Sequence, residues 1–330
     1  RMAAKLEGSK IFAKQVMARH SIPTAQFTAC HSPESARAAR ELEFKFPVVV
    51  KADGLAAGKG VRITSDEREF EDAIKAMMVD AVFGGAGSRV VLEECLVGRE
   101  ASLMIFTDGR DYRAVVPAQD YKRVFDDDRG PNTGGMGSFS TPGLIDDATL
   151  ARITREIVEP TLQGMAAEGN SFAGVLYMGL MLTEGGPKVI EYNARMGDPE
   201  TQAVLVRLES DLAEIFEAIA RGEIGSTSIN WTDASSVCVV AASGGYPGAF
   251  EMGKPISGLD EAKASQGVAV FHAGTTRDEK GGFLTSGGRV LGVTAVAATL
   301  EAARANAYDA AGKISFDGMH YRKDIARRKD

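Results

Sequence analysis

The stretch PVVVKADGLAAGKGVRI, residues 47–63, has the pattern of two strands joined by a glycine-rich turn. Its first part, Pro47 to Lys51, is an apolar run typical of a buried strand, and Gly60 to Ile63 begins a second strand. Because only the turn separates them, we expect the two strands to form a hairpin. A further strand follows at residues 89–94, so residues 23–94 are predicted to form a small unit of helices and sheet.

The turn of this hairpin places lysines beside glycines, a pattern that can bind phosphate. Lys51 ends the first strand, and Lys59 lies between Gly58 and Gly60. The pattern differs from a Walker A loop, which has Ser or Thr after its lysine and leads into a helix. Backbone N–H groups of a loop without side chains can nevertheless fold over phosphates, and two lysines balance their charge. A flexible hairpin tip without a ligand is the alternative interpretation.

A second candidate segment is Glu93 to Glu100, where a strand ends in a short connection. Such a segment can present backbone groups to the edge of an adenine ring and a carboxylate to ribose hydroxyls. The signal is weak by itself, because an acidic pair at the end of a strand is usually solvated surface.

The segment EYNARMGDPET, residues 191–201, has the highest density of chemically capable groups. Residues two apart on a strand face the same side, so Glu191 and Asn193 present two oxygen ligands together while Tyr192 turns to the opposite side. Magnesium prefers oxygen ligands and is usually held by one or two protein groups plus substrate phosphates. Arg195 follows as a donor for a phosphate or a carboxylate. The alternative is a polar sheet edge that ends in a Gly-Asp-Pro turn.

A long stretch without periodicity covers residues 119–142. Loops of this length inside a compact domain are usually functional or disordered. Lys122 supplies positive charge and is predicted to contact the nucleotide, while the glycines of residues 131–137 can form an anion-binding nest. The aspartates at 126–128 are interpreted as solvated surface.

The composition limits the class of protein. Lys and Arg number 38 against 45 Asp and Glu, and the net charge of −7 argues against broad binding to nucleic acid or anionic membranes. No apolar run reaches the length of a membrane span, and from the first residues of this sequence a secretory signal is not expected. Three widely spaced cysteines fit a reducing compartment, so we predict a cytoplasmic protein without structural zinc. The candidate segments contain no histidine, so a nucleophilic triad is not expected.

The last hundred residues are predicted to be rich in strands. Strands are expected at 237–242, 268–272 and 288–294, and a helix over 299–314. Periodicity lapses at 226–231, which marks a linker before this region.

Together these motifs resemble the ATP-grasp superfamily and, within it, the phosphoribosylamine–glycine ligase family. The resemblance runs from residue 6 to residue 324 and passes in order through KADGLAAGKGV, EE-x-L-x-G-x-E, QDYKR, GPNTGGMG, EYNARMGDPETQ, SGGYPG, FHAGT and GGRVL. GPNTGGMG followed by R-x-GDPE is highly specific, whereas the glycine loop or the acidic pair alone is not. Ala194 and Met196 stand where the family often has Cys and Phe, which should affect packing more than chemistry.

The resemblance implies a role for residues in each segment. Lys10 and Lys51 resemble the lysines that hold the ATP α- and β-phosphates, and with Arg195 they would stabilise charge on the transferred phosphoryl group. The glycine loop resembles a mobile loop that closes over the phosphates. The remaining implied contacts are Gly54, Gly58, Lys59 and Gly60 for the phosphates; Glu93, Glu94, Leu96 and Glu100 for adenine and ribose; Glu191 and Asn193 for magnesium; and Asn132, Thr133, Gly134, Gly135, Met136, Gly137, Asp198, Pro199, Glu200 and Thr201 for the amine and the amino acid.

The implied fold is α+β, a two-lobed ATP-grasp core with a β-rich C-terminal domain. Residues 1–22 and 95–230 would form the larger lobe, residues 23–94 the small lobe, and residues 231–330 the C-terminal domain. ATP would bind between the two lobes.

The implied reaction joins glycine to 5-phosphoribosylamine through glycyl phosphate and gives glycinamide ribonucleotide, ADP and phosphate. ATP and Mg2+ would be required, with Mn2+ as an alternative ion, and neither nucleic acid nor membrane would be a partner. Two alternatives stay open: an ATP-grasp ligase for another acid and amine, and a nucleotide-binding fragment without complete activity. The second arises because the family ordinarily begins with a glycine-rich α/β domain, and this sequence begins at the far edge of that domain.

Overall fold

The computed structural model describes residues 2–56 and 60–327. The chain divides into two compact units, each built from several segments. The first unit comprises Arg1–Ala114, Asp146–Arg195 and Phe216–Thr227, and the second unit comprises Val115–Ile145, Met196–Ile215 and Ser228–Asp330.

Helices and strands are mixed along the chain, which confirms the predicted α+β class. The helices are α1 Lys5–Gly8, α2 Lys10–Arg19, α3 Pro33–Glu43, α4 Glu67–Ile74, α5 Asp147–Ile153, α6 Glu159–Ala167, α7 Glu200–Val204, α8 Leu212–Arg221, α9 Leu259–Lys263 and α10 Leu300–Lys313. The strands are β1 Phe27–Cys30, β2 Val48–Ala52, β3 Val61–Thr64, β4 Val90–Glu94, β5 Arg99–Thr107, β6 Tyr112–Ala114, β7 Gln119–Asp120, β8 Arg123–Phe125, β9 Arg129–Asn132, β10 Gly137–Ser140, β11 Gly174–Thr183, β12 Gly186–Asn193, β13 Ser235–Ala242, β14 Val268–His272, β15 Thr275–Arg277, β16 Phe283–Thr285 and β17 Arg289–Ala297. Among the helices of the described ranges, none is long and apolar enough to cross a membrane.

One four-stranded sheet of the first unit has the antiparallel strand order β1-β4-β2-β3. Its β2–β3 pair is the predicted hairpin, with Lys51 opposite Val61. Val50 and Leu92 are neighbours across the sheet and form a core with Phe70 of α4. The valine run of β2 is completely buried, as expected for β-branched side chains packed on a pleated surface.

The other sheet of the first unit has the antiparallel order β12-β11-β5-β6. On β11, Gly179 lies opposite Glu191 of β12, and Tyr177 lies opposite Asn193. This register places the two predicted magnesium ligands at the C-terminal end of β12, beside a strand position that has no side chain.

The second unit contains a five-stranded antiparallel sheet with the order β14-β17-β13-β10-β7. Helix α10 contributes the buried residues Ala303, Ala307 and Ala310 to the core on this sheet. These alanines recur every three or four residues, so they share one face of the helix. The predicted β-rich C-terminal domain is confirmed.

The prediction of an irregular segment over residues 119–142 is wrong. The structure has four short strands there, β7 to β10, of two to four residues each. Strands this short are not long enough to produce a recognisable alternation of apolar and polar residues. Strand β10 lies between β7 and β13, with Ser138 opposite Cys238, so it belongs to the C-terminal sheet.

The assignment of residues to lobes stays a prediction. The proposed small lobe, residues 23–94, contains the whole β1-β4-β2-β3 sheet. The bounds of the proposed larger lobe differ from those of the first compact unit, because residues 115–145 and 196–215 group with the second unit.

Candidate active site

Lys51 is held in the interior of the first unit by two acceptors. Its side chain is 5% exposed, and Nζ donates to Glu93 Oε2 at 2.9 Å and to the Ile190 carbonyl oxygen at 3.1 Å. An ammonium group has three donors. Within the described residues, two donors of Lys51 have protein acceptors, and a third is suited to a phosphate.

Lys14 shares the same carboxylate oxygen, and the sequence did not identify it as a site residue. Its Nζ lies 2.8 Å from Glu93 Oε2 and donates to Thr24 Oγ1 at 2.7 Å. Burial lowers the pKa of the Lys14 ammonium to about 8, although the charge of Glu93 opposes the shift. A signal was present, because Lys10 and Lys14 are four residues apart and face the same side of α2.

Lys10 begins helix α2, whose N-cap is Ser9. The Lys10 Nζ donates to the Gly54 carbonyl oxygen at 3.4 Å. Burial lowers its pKa, and the charge of Glu191 is the strongest effect in the opposite direction. Lys51 also lowers the pKa of Lys10 by repulsion, so both lysines and Glu191 share one electrostatic environment.

Asp53 fixes the start of the glycine loop to the N-terminus of α2. Its carboxylate accepts hydrogen bonds from Ser9 Oγ and the Ile11 N–H, each at 2.8 Å, and pairs with Arg89 at 2.6 Å. A negative charge at a helix N-terminus is favourable because it faces the unpaired N–H groups. Asp53 is 4% exposed, and its role was missed although it lies within the KADG motif.

The glycines at the two ends of the loop are required by close packing. A Cβ at Gly54 would lie 2.7 Å from the Ala86 Cβ, and a Cβ at Gly60 would lie 2.6 Å from the Ala56 Cβ. Both distances are shorter than real Cβ contacts allow. Of the predicted phosphate contacts, Gly58 and Lys59 lie outside the described residues.

The acidic pair at the end of β4 is not ordinary solvated surface. Glu93 is 3% exposed, and Glu94 Oε1 accepts from the Gln26 N–H at 3.0 Å and from Lys188 Nζ at 2.9 Å. The hydrogen bond from Gln26, assisted by Lys188, holds the pKa of the Glu94 carboxyl below its ordinary value. The end of β4 is thus fixed to the start of β1 and to β12.

The strand end of β12 is suited to magnesium. Glu191 and Asn193 are both half-buried, whereas the intervening Tyr192 is 2% exposed and bonds to Thr161 Oγ1 at 2.6 Å on the other side. A Cβ at Gly179 would lie 3.3 Å from Glu191 Cγ, so the glycine leaves space beside the carboxylate. Two oxygen ligands with adjacent space fit an ion that completes its shell with water and phosphate.

Arg195 lies just beyond these ligands and is oriented by an acidic residue. Its Nε donates to Glu7 Oε1 at 2.9 Å, and the Ala194 N–H donates to Glu7 Oε2 at 3.0 Å. The Glu7 carboxylate therefore holds both the Arg195 side chain and the backbone just before it. Glu7 occurs in the LEGSK segment, residues 6–10, but no pattern in the sequence indicates this partner.

In the second unit, Thr133 organises the predicted substrate loop. Its Oγ1 donates to the Lys122 carbonyl oxygen at 2.8 Å and accepts from the Gly135 N–H at 2.9 Å. Gly135 has φ +113°, and a Cβ there would lie 2.3 Å from Pro199 Cδ, so a side chain is excluded. The loop and the Asp-Pro segment are consequently packed against each other.

Arg289 joins the same two segments by hydrogen bonds. Its Nη1 donates to the carbonyl oxygens of Gly134 at 2.7 Å and Asp198 at 3.0 Å, and its Nη2 donates to Asp198 Oδ2 at 2.8 Å. The Gly134 N–H donates to the Tyr246 hydroxyl at 2.9 Å. Tyr246 and Arg289 belong to the SGGYPG and GGRVL motifs, which had no assigned role.

The predicted site residues fall into two groups. The first unit contains Lys10, Lys51, Gly54, Gly60, Glu93, Glu94, Leu96, Glu100, Glu191, Asn193 and Arg195, and the second unit contains Lys122, Asn132, Thr133, Gly134, Gly135, Met136, Gly137, Asp198, Pro199, Glu200 and Thr201. The nucleotide and magnesium assignments thus fall in the first unit apart from Lys122, and the assignments for amine and amino acid fall in the second.

Comparison with known proteins gives matches over most of the chain. Residues 8–201 match the model of the phosphoribosylglycinamide synthetase ATP-grasp (A) domain, and residues 236–328 match that of the C domain of the same synthetase. A phosphoribosylamine–glycine ligase of Caldanaerobacter subterraneus subsp. tengcongensis is 48% identical over 98% of this chain and 76% of its own length. The crystal structure of the phosphoribosylamine–glycine ligase of Thermotoga maritima has a TM-score of 0.89 and 38% identity, over 98% of this chain and 80% of that one.

More distant structures have the same fold. The biotin carboxylase domain of the Hydrogenobacter thermophilus 2-oxoglutarate carboxylase has a TM-score of 0.71 at 20% identity, over 96% of this chain and 68% of that chain. The predicted ATP-grasp architecture is confirmed by these matches.

Proposed function

The chain belongs to the phosphoribosylamine–glycine ligase family, and from that membership we propose that it joins glycine to 5-phosphoribosylamine with cleavage of ATP. The products are glycinamide ribonucleotide, ADP and phosphate, a step of purine biosynthesis. We place the reaction in the cytoplasm.

The chemistry requires activation of a carboxylate, which resists attack because it is negatively charged and has no good leaving group. A glycine carboxylate oxygen attacks the γ-phosphorus of ATP, the bond to the β-phosphate oxygen breaks, and ADP leaves. The amine nitrogen of phosphoribosylamine then attacks the carbonyl carbon of glycyl phosphate, phosphate leaves, and the nitrogen loses a proton. Neither step needs a nucleophile from the enzyme.

The structural observation that best supports the nucleotide part of the proposal is the buried Lys51 at the start of a glycine loop. Its ammonium is already removed from bulk water and oriented by Glu93 and Ile190, so little reorganisation is needed when a phosphate binds. Lys10 lies at the same loop through its contact with Gly54. We assign Lys10 and Lys51 to the nucleotide phosphates and Arg195 to the transferred phosphoryl group.

Glu191 and Asn193 are the residues that would hold Mg2+, and Mn2+ prefers similar ligands. When bound, such an ion neutralises charge on the phosphate oxygens. Glu191 also interacts electrostatically with Lys10, so its carboxylate would orient both a metal ion and a lysine.

Glycine and phosphoribosylamine are assigned to the loop of residues 132–137 and to residues 198–201. The Thr133 hydroxyl and the Arg289 guanidinium fix these segments, and Gly135 is buried against Pro199 with its N–H donated to Thr133 Oγ1. The backbone N–H groups of residues 133–136 all donate within the protein, so the expected anion-binding nest is not formed by these groups, and we assign the substrate contacts to the side chains of the two segments.

The test is product analysis after incubation with ATP, Mg2+, glycine and freshly generated phosphoribosylamine. We expect glycinamide ribonucleotide and ADP in equal amounts, with ADP release that falls when either glycine or the amine is omitted. Faster ADP release with another amino acid or another amine would instead favour a ligase of different specificity.

A further inference from the structure

Three charged groups meet in the interior of the first unit at one carboxylate oxygen. Glu93 Oε2 lies 2.8 Å from Lys14 Nζ and 2.9 Å from Lys51 Nζ, and the three side chains are 3%, 2% and 5% exposed, respectively. We call Lys14, Lys51 and Glu93 the buried triad.

The charges of the triad do not cancel. With both lysines protonated, two positive charges and one negative charge leave a net charge of +1. Burying unbalanced charge is costly, so a cluster that needed only internal stability would be expected to be neutral. The nearby Glu94 carboxylate pairs with Lys188 and is 41% exposed, so it does not balance the buried triad, and the excess positive charge favours an approaching anion.

Lys14 and Lys51 differ in their remaining contacts. Lys14 donates to the Thr24 hydroxyl, which in turn donates to the Val189 carbonyl oxygen, each at 2.7 Å. Thr24 therefore links the Lys14 side chain to strand β12. Lys51 contacts Ile190 on the same strand and lies at the glycine loop.

We propose that Lys14 is a positioning residue that neutralises Glu93, so that Lys51 keeps its positive charge available for the nucleotide phosphates. This inference rests on the proposed function, because it takes Lys51 as a phosphate contact. In this role Lys14 acts through Glu93 rather than by contact with a substrate.

The physical reason is competition for one carboxylate. Without Lys14, Lys51 and Glu93 form a neutral pair, and a phosphate that approaches Lys51 must also approach an unscreened carboxylate in a medium of low polarity. With Lys14 present, the repulsion between Glu93 and the phosphate is offset. The effect acts through charge, so it can be separated from a loss of packing.

The experiment compares Mg-ATP affinity, measured by calorimetry, in matched variants of the protein. We expect Lys14→Met to weaken binding by roughly 10-fold to 100-fold, as for loss of a charge-assisted contact. Lys14→Arg, which keeps the charge, should bind closer to the original protein. Thr24→Val removes the other hydrogen bond of Lys14 and leaves the charge balance, so it should lower the melting temperature with little change in Mg-ATP affinity.

The decisive variant is Lys14→Met combined with Glu93→Gln. In this double variant Lys51 is the one charged member of the triad, so the net charge is again +1. We therefore expect it to recover most of the affinity for Mg-ATP that is lost in Lys14→Met. It also removes the unbalanced carboxylate, so it should fold even if Lys14→Met does not. A folded double variant that binds Mg-ATP no better than Lys14→Met, or a folded Lys14→Met that binds like the original protein, would overturn the proposal.

Lys51→Met separates this inference from the proposed function. If Lys51→Met binds Mg-ATP normally, the assignment of Lys51 to the phosphates is wrong and the role of Lys14 is wrong with it. If Lys51→Met binds weakly while Lys14→Met binds normally, only the role of Lys14 is wrong.

Discussion

Replacement of Arg289 by Met should separate the two segments of the second unit that we assign to the substrates, residues 132–137 and 198–201, with little effect on the nucleotide contacts assigned to the first unit. The part-buried hydrogen bond to the Gly134 carbonyl oxygen is worth about 1.5 kcal/mol, because the donor is charged. The contacts with Asp198 are more exposed, the Asp198 side chain being 51% accessible, so we assign them about 0.5 kcal/mol together. The sum is about 2 kcal/mol, equivalent to roughly 30-fold in an equilibrium constant.

The assay is steady-state ADP release with glycine, phosphoribosylamine and ATP varied in turn. We expect kcat/KM for glycine or for the amine to fall by up to about 30-fold, while the dissociation constant of Mg-ATP stays constant because its assigned phosphate contacts Lys10 and Lys51 lie in the first unit. Arg277→Met is the matched control, since Arg277 is an exposed arginine of the second unit that stacks on Phe283 at 4.3 Å. Unchanged kinetics in Arg289→Met, or an equal loss of ATP affinity, would refute the reasoning.

Three further predictions concern the first unit. Glu191→Gln should lower turnover at limiting Mg2+ by roughly 10-fold to 100-fold with little change in melting temperature, and a normal Mg2+ titration would remove Glu191 from the metal site. Amide exchange over residues 54–60 should slow when Mg-ATP is added, and equal exchange with and without nucleotide would favour a plain hairpin tip. Because burial lowers the pKa of Lys14 to about 8, Mg-ATP affinity should fall as pH rises through 8, more steeply than in Lys14→Met. Between pH 8 and pH 10.5 Lys14 loses its proton in the folded state but keeps it in the unfolded state, so its contribution to the free energy of unfolding should rise with pH. Besides burial, the charges of Glu93, Glu94 and Lys51 determine the folded-state pKa.

The local features of the nucleotide region could be predicted from the sequence because their signals are short in range. The valine run before Lys51 and the glycines after it define the hairpin, and Ser9 before an apolar-periodic segment defines the start of α2. Period-two alternation likewise places Glu191 and Asn193 on one side of β12, with Tyr192 on the other.

The partners of these residues could not be predicted, because they come from distant parts of the chain. Arg289 lies 155 residues from Gly134, and no local pattern in either segment indicates the other. Lys14 likewise meets Glu93 only through the packing of α2 against β4. A lysine at that spacing on a helix usually lies on a solvated face, so its burial is a property of the tertiary structure alone.

Strand β10 has a consequence for any attempt to divide the protein into separately folding pieces. Residues 137–140 pair with residues 236–239 of β13, so the sheet joins regions matched by two different family models. A version of the protein shortened to end at residue 230 would leave the backbone N–H and carbonyl groups of Gly137 to Ser140 without these partners. An unpaired strand edge of this kind is a template for intermolecular pairing. Aggregation, rather than a well-behaved nucleotide-binding domain, is therefore the expected product of a cut at the apparent linker.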